Sequence, residues 1–225
     1  MLMQTLCRFA PRRHRVYRLI SRLAPNRFEV YRIEGGLIYL NLREHPSTVQ
    51  VAMGTYEPAK HAMIRRHIRS GMTFIDAGAN MGDFTLQAAR LVGSSGRVIA
   101  IEPAPENFSH LQRSIELNGY SHARALPIAL SDRDGTASLQ ILSLSTAHTL
   151  APLPPQYDMP KVTVPTRTLD TVVAEQQFPV GVGLVQDGFE RRSKGVSAVE
   201  ERHEHADQRR SHGRVDVFIR LDHAC

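Results

Sequence analysis

One short segment of the chain combines an acid with closely spaced glycines. Residues 76–82 read Asp-Ala-Gly-Ala-Asn-Met-Gly, and they follow an apolar run that ends at Ile75. Asp76 is therefore predicted at the carboxyl end of a buried strand, where open α/β sheets bind their ligands. Gly78 lets the backbone turn sharply and lets a ligand approach without a Cβ in the way. Gly82 allows close packing where a helix begins, and the free N–H groups of that helix favour an anionic group such as a carboxylate.

A second acid, Glu102, follows the next apolar run. A carboxylate there can accept two hydrogen bonds from a ribose diol, and it repels a 2′-phosphate. Dinucleotide enzymes use Gly-x-Gly-x-x-Gly, whose second glycine admits a pyrophosphate, but this chain has Asn80 at that place. A ligand with an amino acid at one end and a nucleoside at the other suits both Asp76 and Glu102, and S-adenosylmethionine is such a ligand. The alternative is a tight strand–helix turn with Glu102 as a solvated surface acid.

Alternating strands and helices must position these residues. Buried strands are predicted at 72–75, 97–101 and 123–130, with helices at 84–92 and 105–118 between them. This alternation predicts a parallel sheet with right-handed crossovers, and so an α/β, Rossmann-like fold with helices on both faces.

Shorter elements are predicted on both sides of this unit. Two alternating runs flank Gly35-Gly36 and predict a β-hairpin, and Pro58 opens a helix. The remaining predictions are a strand at 49–53, strands at 136–144 and 161–165, and a helix at 169–176 capped by Thr168 or Asp170.

Composition limits the class of protein. With 225 residues, of which 42% are hydrophobic, the chain can bury one substantial core but has little room for a second full domain. No apolar run approaches the roughly 20 residues that a membrane span needs. Cys7 and Cys225 lie at opposite ends, which gives neither a disulfide framework nor metal-ligand spacing and predicts a cytoplasmic protein without a metal site.

The net charge of +6 is concentrated in residues 1–27, which hold seven arginines and no acid. The rest of the chain nearly balances, because 21 basic residues remain against all 22 acids, so a nucleic-acid surface is not indicated. Apolar residues at helical spacing predict that this basic arm is an amphipathic helix. Such a helix either packs on the core with its arginines in water, which we favour, or touches an anionic membrane surface.

Five segments resemble the FkbM family of methyltransferases over about residues 45–180. They are Tyr56-Glu57-Pro58, residues 74–82, Ile101-Glu102-Pro103, Ala129-Leu130-Ser131-Asp132, and residues 164–170 with Arg-Thr-Leu-Asp. The resemblance implies a Rossmann-like class I methyltransferase, S-adenosylmethionine as the donor, and a hydroxyl acceptor on a sugar or natural-product-like molecule. Together with the charge distribution, it predicts a basic arm at 1–27, an incomplete methyltransferase domain at 28–185 and a tail at 186–225.

The resemblance also implies roles for individual residues. Asp76, Gly78, Asn80 and Gly82 would surround the methionine end of the cofactor, Glu102 would hold the ribose, and Ser131 and Asp132 would lie near the adenine. Glu57 either reaches the methionine end or is an acid stabilised by the dipole of its own helix. An alcohol acceptor also needs a base to take its proton. The sequence does not single out that catalytic residue among His45, His61, His110 and His148.

The C-terminal tail departs from the family pattern. After about residue 185 the family continues with a buried strand and Lys-hydrophobic-Asp-x-Glu-Gly-x-Glu, whereas this chain reads Gln-Asp-Gly-Phe-Glu from 186 and becomes highly charged. Residues 186–225 are therefore predicted to be disordered, and the last strands of the sheet to be incomplete. One possible nucleotide sequence for residues 186–189 encodes Lys-Met-Asp, the residues that the family has, when it is read one base later. A frameshift would therefore explain the unusual tail, and the nucleotide sequence of the gene tests this explanation.

Four functions remain open on the sequence alone. The first is an active methyltransferase, and the second is a truncated remnant that binds the cofactor without activity. The third is an NAD-linked oxidoreductase, against which Asn80 argues. The fourth is an adaptor that binds a membrane or a nucleic acid through its basic arm, and it rests on residues 1–27 alone.

Overall fold

The computed structural model describes residues 13–141, 159–176 and 217–221. The elements in chain order are α1 (Arg13–Leu23), β1 (Glu29–Ile33), β2 (Gly36–Leu40), α2 (Pro46–Ala52), α3 (Pro58–His67), β3 (Thr73–Ala77), α4 (Asp83–Val92), β4 (Arg97–Ile101), α5 (Pro105–Leu117), β5 (Ala123–Leu126), β6 (Ala129–Leu130), β7 (Gly135–Gln140), β8 (Lys161–Arg167), α6 (Leu169–Glu175) and β9 (Val217–Leu221).

A four-stranded parallel sheet forms the centre of the fold, with the strand order β5-β4-β3-β9. Strands β3, β4 and β5 alternate with α4 and α5, as the spacing of apolar runs predicted. Because all the strands are parallel, the carboxyl ends of β3 and β4 lie at the same edge. The residues that follow Ala77 and Ile101 are therefore neighbours, which is the arrangement that the α/β prediction required.

Each face of this sheet is covered. Phe74, Val98 and Ala100 pack into a large cluster with side chains of α4 and α5, while Ile75 and Ile99 pack with α6 on the opposite face. Successive side chains of a strand point to opposite faces, so the near-continuous apolar runs of β3 and β4 supply both cores. The predicted α/β fold with helices on both faces is confirmed.

The predicted β-hairpin is confirmed as β1 and β2, which pair antiparallel with Ile33 opposite Gly36. It docks on α5 through Asn118, whose side chain accepts from the Leu37 N–H at 2.8 Å and donates to the Leu37 carbonyl. Tyr120 adds a hydrogen bond from its hydroxyl to the Gly35 carbonyl. The Asn118 amide and the Tyr120 hydroxyl thus fix the hairpin on the outside of the parallel unit.

Residues 49–53 do not form the predicted strand. They belong mostly to α2, which begins at Pro46, with His45 as its N-cap: the His45 Nδ1 accepts from the Ser47 N–H. Val49 and Val51 are both buried, so their alternation reflects two packed sides of a short helix. Proline at the first helical position and an N-cap acceptor outweigh the strand preference of valine.

The predicted strand at 123–130 is divided into β5 and β6. Pro127 lies between them, and because proline has no N–H it cannot donate to a continuous ladder. Strand β6 leaves the central sheet and pairs parallel with β8, which also pairs antiparallel with β7 in a three-stranded sheet. The predicted strands at 136–144 and 161–165 are β7 and β8, and Thr168 caps α6 by accepting from the Thr171 N–H.

The strand β9 lies within the segment 186–225, for which the sequence predicts disorder. It pairs in parallel with β3, with Thr73 opposite Val217 and Ala77 opposite Leu221. These five residues therefore correct the prediction of a wholly disordered tail and supply a fourth parallel strand. Residues 186–216 and 222–225 lie outside the described residues.

Helix α1 is the described part of the basic arm. Tyr17 is buried against Val49, and its hydroxyl donates to Thr55 Oγ1 at 3.0 Å. One side of the helix is thus packed on α2, as the favoured prediction states. None of the helices in the described ranges is long and apolar enough to cross a membrane.

Candidate functional site

The glycine-rich turn after β3 is fastened to the end of β4. The N–H groups of Gly78 and Ala79 both donate to the Ile101 carbonyl at 2.9 Å. Gly78, Asn80 and Gly82 have φ angles of 74°, 50° and 88°, in the left-handed region. Glycine enters this region without strain and asparagine tolerates it better than most residues, which explains these residue types in the turn.

Glu102 links the two neighbouring loops at this edge. Its Oε2 accepts from the Asn80 N–H at 2.8 Å, and its Oε1 accepts from the Ala104 N–H at 2.9 Å. The residue is only 4% exposed. Burial raises the pKa of Glu102 to about 7, because the hydrogen bonds from Ala104, Asn80 and Asn107 offset only part of the desolvation and the nearby Asp76 charge raises it further. The expectation of a solvated surface acid is therefore wrong.

Asp76 is fully buried at the end of β3, and its Oδ2 accepts a hydrogen bond from the Thr85 hydroxyl on α4. This contact holds the first turn of α4 against the strand. Gly82 is the N-cap of α4 and provides no side-chain cap. Its site is also closely packed, because a Cβ there would lie 2.4 Å from Leu111 Cδ1 of α5.

Glu57 is the N-cap of α3 with φ 33° and ψ 59°. This left-handed conformation is strained for a glutamate, and the following Pro58 disfavours helical angles there as well. Lys60 Nζ lies 2.9 Å from Glu57 Oε2. Non-glycine residues with strained backbones cluster at functional sites, and Glu57 and Asn80 are the two such residues in the described part of the chain.

A buried histidine–carboxylate pair joins α3 to α4. His61 Nε2 lies 3.3 Å from Asp83 Oδ2, and its Nδ1 lies 2.7 Å from Gln87 Oε1. Burial lowers the pKa of His61, but the hydrogen bond and charge of Asp83, with smaller effects of Gln87 and Glu34, outweigh burial and leave the pKa raised. Both ring nitrogens face acceptors, which fits a protonated ring that donates to each.

A cavity of about 190 Å³ lies beside this pair. Its wall includes Tyr56, Pro58, His61 and Asp83, together with Glu34 and Arg65, which pair at 2.6 Å. Because Asp83 follows Gly82 directly and Pro58 follows Glu57 directly, the cavity borders the two strained loops.

The structure brings together most of the predicted site residues. Residues 76–82 and Glu102 share one hydrogen-bonded edge. Ser131 and Asp132 follow β6, and they bond to each other at 3.2 Å. Their link to the edge is indirect: Ala129, before them, packs in one cluster with Ala104, which follows Glu102. The adenine-side role of Ser131 and Asp132 stays a prediction.

The candidate histidines differ in their contacts, and these contacts distinguish a structural role from a possible role as a base. His45 caps α2, and the His110 ring packs at a tilt against the Phe28 ring with centroids 4.0 Å apart, so both have structural contacts. Of the three candidate histidines that the structure describes, only His61 is paired with a buried carboxylate. His148 lies outside the described residues. Sequence reasoning missed Asp83, Thr85 and Asn107, because only the fold shows their partners. It brings Asp83 to His61, Thr85 to Asp76, and Asn107 to Glu102.

Two features of the edge fit a ligand with a carboxylate and a nucleoside. The Asn80 Oδ1 is buried and has no hydrogen-bond partner among the described residues, so it offers a polar atom for a ligand donor. Gly82 gives α4 no side-chain cap, and the positive end of the helix dipole at this N-terminus favours an anion. The residues at this edge therefore fit S-adenosylmethionine.

Comparison with protein families matches residues 76–185 to the methyltransferase FkbM domain. The matched range begins at Asp76 and includes Glu102, Ser131 and Asp132. Glu57 and α1 lie before it, and β9 lies after it.

Two known proteins that are similar to parts of the chain are named as methyltransferases. The chain is 40% identical over 65 residues to "Methyltransferase 1" of Beauveria bassiana, and this covers 29% of the chain and 26% of that protein. It is 29% identical over 82 residues to "Protein-L-isoaspartate O-methyltransferase 1" of Arabidopsis thaliana, covering 35% of the chain and 36% of that protein. The chain thus spans about a quarter to a third of the length of these relatives. The solved methyltransferase FkbM of Methylobacillus flagellatus is 15% identical, with 67% of this chain and 38% of that chain covered and a TM-score of 0.34.

Proposed function

We propose that the chain, whose residues 76–185 match the methyltransferase FkbM domain, binds S-adenosylmethionine at the edge formed by residues 76–82 and Glu102 and transfers the methyl group to a hydroxyl oxygen. The acceptor would be a sugar or a natural-product-like small molecule. One observation carries the proposal: Glu102 ties the Asn80 N–H to the loop after β4, so a buried carboxylate and the uncapped start of α4 lie at one edge.

Each part of the edge suits one part of this ligand. The N–H groups at the start of α4 and the Asn80 side chain would bind the methionine end, with Asp76 and Glu57 supplying negative charge towards its ammonium. Glu102 would accept hydrogen bonds from the ribose hydroxyls through the lone-pair capacity that Asn80, Ala104 and Asn107 do not use. Ser131 and Asp132 would border the adenine.

Methyl transfer depends mainly on how the protein positions the methyl donor and the acceptor oxygen. When bound, S-adenosylmethionine supplies a methyl group on a sulfonium, which an oxygen nucleophile displaces in line. The protein's task is to hold both partners in that line and to keep water away, and correct orientation supplies much of the rate. An alcohol also loses a proton during transfer, so a base must lie within hydrogen-bond distance of the acceptor oxygen.

Calorimetric titration of the full chain with S-adenosylmethionine tests the cofactor proposal, with NAD titrated in parallel. We expect E102Q to bind S-adenosylmethionine roughly 10- to 100-fold more weakly, because a charge-assisted hydrogen bond contributes about 1.5–3 kcal/mol. E106Q is the matched control, since Glu106 is an exposed acid in the first turn of α5.

Binding of NAD without binding of S-adenosylmethionine would overturn the proposal in favour of an oxidoreductase. Transfer itself is measured with methyl-labelled cofactor and a panel of hydroxyl-bearing acceptors. Tight cofactor binding without transfer to any of them would instead favour a remnant that retains only the cofactor half of the site.

A further inference from the structure

Exposed apolar side chains are concentrated on α1. Val16, Leu19 and Leu23 are 36%, 57% and 76% exposed, and Val30 of β1 is the one other large apolar side chain that is exposed in the described ranges. The three residues of α1 are spaced by three and four positions, so they form one strip along the helix. The buried residues Tyr17 and Ser21 lie on a different side of the same helix.

Arginines form a second strip beside the first. Arg15, Arg18 and Arg22 have the same spacing one position earlier, which places them about 100° around the helix. All three are exposed, and none forms an ion pair with any described residue. The exposed part of α1 therefore combines an apolar strip with an unpaired cationic strip.

We propose that this face of α1, defined by Val16, Leu19 and Leu23 with Arg15, Arg18 and Arg22, docks on an anionic lipid surface. A helix of this kind lies in the plane of the interface, with its apolar strip at the acyl boundary and its cations among the headgroups. Each basic residue near an anionic leaflet adds to the attraction.

Other partners satisfy only half of this face. A nucleic acid would pair with the arginines but leave the apolar strip in water, because its backbone offers only charge to this helix. A second copy of the chain could cover the apolar strip, but it would bring two sets of unpaired arginines together, and like charges in close contact repel. An anionic lipid surface matches both strips at once.

The helix is held firmly enough to position the rest of the protein. Besides the Tyr17–Thr55 hydrogen bond, the Arg43 guanidinium donates to the Ala24 carbonyl at 3.3 Å, and Asn41 Nδ2 donates to Asn26 Oδ1 at 3.0 Å. Docking through α1 would therefore orient the whole body at the surface and favour acceptors that are presented there.

Flotation of the full chain with lipid vesicles tests the proposal. We expect binding to vesicles of phosphatidylcholine with phosphatidylglycerol, weak binding to phosphatidylcholine alone, and weaker binding at high salt. The variant L19S/L23S should bind at least about tenfold more weakly, whereas L19F/L23F, which keeps the apolar strip, should bind at least as well as the parent chain. The variant R15Q/R18Q/R22Q should bind roughly 100-fold more weakly.

A matched control removes the same charge elsewhere: R66Q/R113Q/R133Q changes three exposed arginines outside α1 and should stay within about twofold of the parent chain. Circular dichroism melting checks that every variant folds. Equal vesicle binding by L19S/L23S and the parent chain would refute docking through this face. So would a dimer of the parent chain that L19S/L23S dissociates, or stronger retention on single-stranded DNA than on anionic vesicles.

Discussion

Glu102 is kept in an environment that penalises its own charge. It is 4% exposed, and its pKa is raised to about 7, while its unperturbed pKa is near 4.5. Folding therefore disfavours the ionised form of Glu102. The contribution of protonated Glu102 to the free energy of unfolding is complete below about pH 4.5, and it is lost as the pH rises through about 7. A ligand that donates hydrogen bonds to the carboxylate would recover part of this loss.

From this environment we expect the free energy of unfolding of the ligand-free chain to fall between pH 4.5 and 7 by on the order of 3 kcal/mol through Glu102. Urea denaturation at a series of pH values measures this. In E102Q the fall should become shallower, and in E106Q it should match the parent chain. Equal slopes in E102Q and the parent chain would show that Glu102 does not titrate in this range.

A second prediction concerns the strained backbone of Glu57. In E57G the left-handed conformation no longer carries a Cβ, so we expect the free energy of unfolding to rise by about 1 kcal/mol. At the same time, the proposed cofactor affinity should fall, because the carboxylate is lost. E57Q separates the two effects, since it removes the charge but keeps the strain. Denaturation and calorimetry of both variants measure these changes, and a destabilised E57G would contradict the assignment of strain.

At the scale of elements, the contact between the hairpin and α4 depends on one glycine. A Cβ on Gly35 would lie 2.5 Å from the Gln87 backbone nitrogen and 2.6 Å from the Leu86 carbonyl carbon. Backbone atoms of a helix cannot move aside as the end of a side chain can, so the hairpin itself would have to shift. The turn between β1 and β2 is thus fitted to the surface of α4.

We therefore predict that G35A lowers the free energy of unfolding by about 3 kcal/mol. G54A is the matched comparison: Gly54 has φ 64°, but a Cβ there meets nothing within 4 Å, so only backbone strain of about 1 kcal/mol is expected. Urea denaturation ranks the two variants. A larger loss in G54A would indicate that backbone conformation, and not close contact, determines the cost at Gly35.

The spacing of apolar residues, glycines and prolines predicted those elements that nearby residues in the chain determine. The strand Arg97–Ile101 appeared at its predicted residues, and the hairpin and the helices around the parallel strands were within a few positions. The errors at 49–53 and 123–130 have local causes that were present in the sequence, namely Pro46 after a capping His45 and the missing N–H of Pro127. In both places the prolines outweigh the strand preference of the apolar pattern.

At the scale of the whole molecule, the central sheet depends on residues far apart in the chain. Strand β3 is buried along its whole length and has β4 on one side and β9 on the other. Nothing in residues 186–221 alone indicates that a strand there pairs with residues 73–77. The same limit applies to the site: the turn and Glu102 were predicted from their spacing, but the His61–Asp83 pair depends on how α3 packs against α4.

Removing β9 tests whether the central sheet depends on the pairing of β3 with this distant strand. A chain ending at residue 216 would leave backbone groups of β3 without partners along a buried edge, so we expect it to lose cooperative unfolding and to aggregate. A chain ending at residue 221 keeps the strand and is the control. Thermal denaturation by circular dichroism and binding of a hydrophobic dye compare them. A chain ending at 216 that melts cooperatively at the parent temperature would show that β9 is dispensable.

The position of β9 also has a consequence for the order of folding. β9 is synthesised long after β3 and β4. The emerging chain therefore has helices and a partial sheet while the edge of β3 that pairs with β9 is still unpaired. Contacts between distant residues slow folding and prolong the lifetime of exposed strand edges. Nascent chains of this protein should therefore engage chaperones at residues 73–77 until β9 has emerged, which ribosome-bound intermediates of increasing length would reveal.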